Sequence, residues 1–236
     1  MEPTRAGFGQ QLAGLRRAIL DTGYLVDQAI ARSIEALKGR DLAEAKRIIA
    51  DDELIDRQRY EIEEQALAAL ATQQPVASDL RAVAAVIHIA TELERIADHA
   101  KGNAKISLLL GPDPLSISLD DVVRLAERAR DMLRRSLEAF AAGDAESAVA
   151  VAKEDDDLDR LYSSLCHELI GTMVRDPDKI REATHLLWVS HNLERVSDRV
   201  TNICERVVFV VTGRFEELEG EIEGIQLPAD GDAEPA

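Results

Sequence analysis

Eight carboxylates stand out by their spacing. Asp52 and Asp56, Glu94 and Asp98, Asp155 and Asp159, and Glu194 and Asp198 each form an acid-x-x-x-acid pair. Four residues make about one helical turn, so both acids of a pair project from the same face of a helix. Apolar positions run into two of the pairs: Val83, Ile87 and Ala90 lead at helical spacing into Glu94 and Asp98, and Leu187 and Ser190 lead into Glu194 and Asp198. Like charges at this spacing cost an exposed helix about 0.2–0.5 kcal/mol. Partial burial raises that cost steeply unless a cation compensates. Two kinds of cation fit. Arg57, Arg95, Arg160 and Arg195 each sit beside a motif acid in the chain and can pair with a carboxylate on a neighbouring helix. Alternatively, hard carboxylate oxygens from two helices form an open site for Fe, Mn, Mg or Ca, with Zn where a histidine joins. His191 shares a face with Glu194 and Asp198. An acid–arginine network and a metal site both remain open on the residues alone.

Other chemistry has less to stand on. Glu182-x-x-His185 matches half of a di-iron oxidase signature, which needs a second Glu-x-x-His on another helix. No other glutamate stands three residues before a histidine. The chain contains no Gly-x-x-x-x-Gly-Lys phosphate loop, no His-Glu-x-x-His, no Gly-x-Ser-x-Gly and no Cys-x-x-Cys, so no motif points to turnover. His88, His99 and His167 read as core or surface residues, and Trp188 and Tyr60 as packing residues. The class-level competitor is a carboxylate-bridged multinuclear metal-binding protein, or a metal-dependent enzyme of helical-bundle type. It requires inward-facing acids, whereas a protein that works by contact requires acids that face outward.

The elements that must position these acids are helices. Only 3% of the 236 residues are aromatic, and Ala, Leu, Ile and Val supply the core, which favours helix packing over a sheet sandwich. Strong punctuation falls near Gly39, Pro75, Gly111 to Pro114, Gly143, Asp176-Pro177 and Gly213, leaving six segments of about thirty residues joined by short turns. Asp41 with Glu44, and Ser118 with Asp121, have the spacing of helix N-caps, and Asp176-Pro177 is a cap followed by a proline at the first helical position. The segments repeat. Ser33-Ile-Glu-Ala-Leu with Asp41 returns as Ser136-Leu-Glu-Ala-Phe with Asp144, and Asp52, Asp56 and Arg57 return as Asp155, Asp159 and Arg160, at an offset of 103. Leu93 to Asp98 returns as Leu193 to Asp198 at an offset of 100, so the second copy is three residues shorter around its middle hairpin.

The expected architecture is therefore all-α: six long helices forming two tandem, sequence-related three-helix bundles, each able to hold its own core. The first unit spans 1–112 and the second 113–213. An acidic tail, expected to be solvated and largely disordered, spans 214–236, with eight acids against one base. A formal charge of −17 argues against nucleic acid as a partner, because polyanion binding needs clustered Lys and Arg. Two cysteines, Cys166 and Cys204, and no apparent export segment fit a reducing cytoplasm. The longest apolar runs, such as Val207 to Val211, fall far short of the about 20 residues that cross a bilayer.

The paired stretches Leu-Glu-Arg-Ile-Ala-Asp-His at 93–99 and Leu-Glu-Arg-Val-Ser-Asp-Arg at 193–199 resemble the PhoU family, regulators of bacterial phosphate uptake. Asp-Asp-Glu-Leu-Ile-Asp at 51–56, Glu-Asp-Asp-Asp-Leu-Asp at 154–159 and the two-copy layout extend the resemblance over residues 8–213. The resemblance implies a non-enzymatic adaptor that negatively regulates the phosphate-starvation response. Its implied partners are the ATPase subunit of the phosphate ABC transporter, the membrane sensor histidine kinase of the phosphate two-component system, and a second copy of itself. It would be cytoplasmic, held at the inner face of the membrane through those partners. No cofactor is required, but some family members bind iron or zinc clusters through this motif. That implies metal ligands at Asp52, Asp56, Glu94, Asp98, Asp155, Asp159, Glu194 and Asp198. The family motif commonly continues to an Asn four residues after its last Asp. The second copy keeps it as Asn202, and the first has Gly102 instead.

Overall fold

A computed structural model describes residues 5–215, 217 and 218. Most of the acidic tail from 214 onward lies outside the described residues. Among those residues the chain is a set of helices: α1 (Arg5–Gly39), α2 (Leu42–Gln73), α3 (Ser78–Leu110), α4 (Asp120–Ala142), α5 (Ala145–Ala152), α6 (Asp155–Arg175) and α7 (Ile180–Thr212). These form six rods, because α5 and α6 are two parts of one. At Lys153 and Glu154 the backbone stays right-handed but tightens to three-residue bonds, Glu154 N–H to Val151 O and Asp157 N–H to Glu154 O. Arg135 of α4 grips Glu154 there with two bonds of 2.9 and 2.6 Å. The equivalent rod of the first copy, α2, runs through without interruption.

Several helix boundaries follow local chemistry. Asp41 accepts from the Glu44 N–H at 2.9 Å and Asp144 from the Ser147 N–H at 3.0 Å. Asp176 accepts from the Asp178 N–H across Pro177, which opens a short 3-10 turn into α7. Gly143 and Gly213 close α4 and α7 in the left-handed conformation that glycine adopts without steric cost. Ser118 departs from expectation: its hydroxyl accepts from the Asp120 N–H, one residue earlier than the expected Asp121.

α2 packs on α1 and α3, and α5 with α6 packs on α4 and α7, so these rods form the two outer layers. The copies meet through α3 against α7 and α1 against α4. The two halves share a core. One continuous apolar cluster runs from Leu15, Ile30 and Leu93 of the first copy to Leu133, Leu158 and Val200 of the second. α3 packs on α7 as well as on its own outer rod, and α1 packs on α4, so the apolar faces of the two copies run into one another. Two close approaches seal the join. A Cβ on Gly23 would clash with Leu137 Cδ1. Asp27, 6% exposed, takes a fork of 2.8 and 2.9 Å from Arg130, and these two positions are related by the repeat offset of 103.

Trp188 and Tyr60 do not pack inside. They are 55% and 61% exposed, Trp188 against the edge of His185 and Tyr60 under the Arg59 guanidinium. Both lie on the open side of helices whose buried stripe is filled by smaller residues. Cys204 is buried, Cys166 is half-buried, and both are free.

Candidate functional site

The fold collects the eight acids into two sets of four. Asp52 and Asp56 of α2 face Glu94 and Asp98 of α3, and Asp155 and Asp159 of α6 face Glu194 and Asp198 of α7; within each set the charges influence one another. Each set lies along the seam between an outer and an inner helix and grades from buried to exposed. In the first copy Asp52 is 5% exposed and Asp98 lies open; in the second Glu194 is largely covered and Asp159 lies open. The acids therefore open to solvent at one side rather than enclosing an inner chamber.

In the first copy the compensating cation is Lys101. Its Nζ donates to Asp52 Oδ2 at 2.5 Å and to Asp98 Oδ1 at 3.2 Å. Burial pushes the Asp52 carboxyl up and the Lys101 contact draws it back. The same contact holds the Lys101 ammonium well above its usual range. Glu94 is raised by burial and by its neighbours Asp98 and Asp56.

The second copy has no lysine at this place. The repeat offset puts Thr201 there, fully buried, with a hydroxyl that has no hydrogen-bond partner. Asp155 Oδ1 is likewise a buried acceptor without a donor. Burial, with the nearby Asp159 and Asp198 charges, pushes the Asp155 carboxyl up to about 6, and burial with the nearby Asp198 charge pushes Glu194 up to about 7. Arg195 reaches Glu194 Oε2 at 3.1 Å and Asp198 Oδ2 at 2.7 Å, and His191 Nδ1 lies 3.4 Å from Glu194 Oε2.

The close ion pairs described for these arginines run along their own helices, where pairs across a seam were expected. Arg57 turns to Glu53, Arg95 to Glu92 and Arg160 to Asp157, each three or four residues along its own helix, and Arg195 pairs on its own helix too. A neighbour one turn away is reached with less ordering of a long side chain than one across a seam. Among the arginine pairs that do cross between helices are Arg32 with Asp51 at 2.8 Å and Arg135 with Glu154 at 2.6 Å. Sequence reasoning missed both, although the repeat offset of 103 relates Arg32 to Arg135 and Asp51 to Glu154. It also missed Lys101, which stands three residues after Asp98 and so on its face.

The remaining candidates have structural occupations. Glu182 accepts from the Ser116 and Ile117 N–H groups at 2.8 and 2.7 Å and from the Ser116 hydroxyl, tying the link between the copies to α7. Asn202 donates to Glu92 Oε2 at 3.3 Å across the α3–α7 seam. A Cβ on Gly102 would lie 2.9 Å from Asn192 Nδ2, the group that donates to Asn103.

The two copies answer differently to a metal ion. In the first, the Lys101 ammonium sits on the buried Asp52 oxygen that a metal would need, and the residues do not fit one. In the second, Asp155, Asp159, Glu194 and Asp198 offer hard oxygens of the kind a divalent cation takes, with Arg195 already on Glu194 and Asp198. The partnerless Asp155 Oδ1 is the acceptor that such an ion would satisfy. Among the described residues no group of three or more His, Cys, Asp or Glu side chains already converges to hold an ion.

A two-copy helical bundle with an acidic motif on each outer seam defines a class of protein. The PhoU domain family matches residues 19–107 and 122–207, and the chain belongs to the PhoU family. It is 37% identical over 212 residues to the phosphate-specific transport system accessory protein PhoU homolog of Rhizobium meliloti, covering 88% of each chain. The crystal structure of the phosphate transport system regulatory protein PhoU from Streptococcus pneumoniae superimposes with a TM-score of 0.82 at 32% identity, over 89% of this chain and 99% of that one. PhoU from Pseudomonas aeruginosa gives a TM-score of 0.84 at 31% identity, over 88% of this chain and all of that one (100%). No helix among the described residues is long and apolar enough to cross a membrane.

Proposed function

We propose that this chain is a non-enzymatic regulator of phosphate uptake that acts by contact. It docks on the ATPase of the phosphate ABC transporter and on the membrane sensor histidine kinase, and restrains the starvation response when phosphate is plentiful. Relatives named as accessory and regulatory proteins of phosphate transport support the setting. The observation that carries the contact reading is a matched pair of uncovered apolar residues on each outer hairpin. Leu67 and Leu80 near the α2–α3 turn, and Ile170 and Ile180 near the α6–α7 turn, are each about half exposed. The repeat offsets of 103 and 100 relate Leu67 to Ile170 and Leu80 to Ile180. Two copies presenting the same uncovered positions suit docking, in which a few apolar anchors hold and the surrounding negative charge steers encounter with basic partner surfaces. A shift between partner complexes suffices for signalling, without phosphate binding to this chain. The test is co-purification with the intact transporter and kinase from membranes. Wild-type protein is expected to recover both, and Leu67→Ser/Leu80→Ser or Ile170→Ser/Ile180→Ser to weaken recovery at least about tenfold. Recovery of neither partner by the wild type ends the contact reading.

A second reading is favoured by the partnerless Asp155 oxygen: the second copy binds a divalent metal that tunes docking. Elemental analysis after purification without chelator or affinity-tag metal is expected to find an ion that Glu194→Gln loses. Metal-free protein with full partner binding would remove this reading.

A further inference from the structure

We propose that Lys101 is a tethered counter-ion standing where the family resemblance puts a metal ion, so that the first copy of the acid motif takes no divalent cation. The inference rests on the second reading above, that the motif can take a metal at all.

Two independent departures meet at adjacent positions. At 101 a cation is already present. The ammonium has three N–H donors and no acceptor; one goes to Asp52 Oδ2 at 2.5 Å and another to Asp98 Oδ1 at 3.2 Å. Asp52 is 5% exposed and Lys101 already holds one of its oxygens, so an incoming ion must stand beside a like charge or displace it. A side chain on the same helix as Glu94 and Asp98 does not diffuse away when displaced, so it competes at a high effective concentration. At 102 a ligand is missing, because glycine offers no side-chain oxygen. The packing keeps it that way: a Cβ there would lie 2.9 Å from Asn192 Nδ2, which donates to Asn103 Oδ1 at 2.9 Å. The second copy has Thr201 and Asn202 at the equivalent positions; its resident cation is Arg195, on Glu194 and Asp198, and its Asn202 donates to Glu92.

The test is calorimetric titration of the full chain with manganese(II) chloride, after metal has been stripped and circular dichroism has shown the fold intact. Asp155→Asn/Glu194→Gln silences the second copy, so the first is read alone. This background is expected to bind no Mn²⁺ that a further Asp52→Asn removes. Adding Lys101→Thr is expected to create one Mn²⁺ site per chain, lost again with Asp52→Asn. Lys101→Gln keeps most of the stem and serves if the threonine variant is unfolded. A background that takes up Mn²⁺ through Asp52 with Lys101 in place would overturn the proposal. So would folded Lys101 variants that gain nothing while the wild type binds Mn²⁺ through Asp155 and Glu194. Failure of both the wild type and the Lys101 variants to bind would instead remove the metal reading, and this inference with it.

Discussion

Positions 101 and 201 occupy the same place in the two halves, and they set how each half carries four carboxylates. Lys101 reaches from α3 to a buried aspartate on α2 and settles its charge within the protein. Thr201 is buried without a partner, and the acids around it are left to Arg195, which approaches along its own helix. Duplication keeps rods, caps and seams alike because those depend on many residues, whereas one side chain suffices to change what a seam can bind. Ser33 and Ser136 show the conserved part: both are fully buried and donate at 2.8 Å to the carbonyl three residues earlier.

The largest expected effect breaks the first half. Lys101→Met leaves Asp52 buried without its partner and should destabilise the protein by about 3 kcal/mol. Asp52→Asn added to it should recover most of that loss, as read from denaturant unfolding at pH 7.

The second half should respond to pH instead. Its Asp155 and Glu194 carboxyls titrate at about 6 and 7 in the folded chain, against ordinary values of 3.8 and 4.5. The folded state therefore binds more protons than the unfolded state between those limits, and stability falls as pH rises through them. Glu44, held low by Arg32 and Arg47, has its effect on the opposite side, lost only as pH falls through its depressed range. From pH 5 to pH 8 the metal-free protein should lose up to about 3 kcal/mol from Glu194. Glu194→Gln should flatten that slope in unfolding curves recorded across the range.

Gly102→Asn sharpens the contrast, because it writes the second copy's residue into the first. It should cost about 1–3 kcal/mol by forcing Asn192 from the seam, measured as a lower melting temperature. The smallest effect lies where the halves agree: Ser33→Ala and Ser136→Ala should each change stability by less than about 1 kcal/mol, and equally.

Much of this was legible before any coordinates. The Asp41 and Asp176 caps, the stops at Gly143 and Gly213, the two-copy layout and the pairing of acids on single helix faces follow from spacing along one chain. Trp188 and Tyr60 were misread because an aromatic at a helical position does not reveal which way that position faces. The arginines beside the acids were misread because adjacency in sequence says nothing of which partner lies nearest in space. Lys101 shared a face with Asp98 all along, but its value depended on Asp52, 49 residues away.

The sequence by itself determined the rods, their ends, their duplication and the placing of paired acids on single faces, since all of these are set by interactions within a few turns of helix. Only the tertiary structure decided that both halves share one core, that Lys101 neutralises one acid set while the other keeps raised carboxyls, and that Gly102 lies against Asn192. Those outcomes depend on which rods pack side by side and at what separation, which no spacing along a single helix specifies.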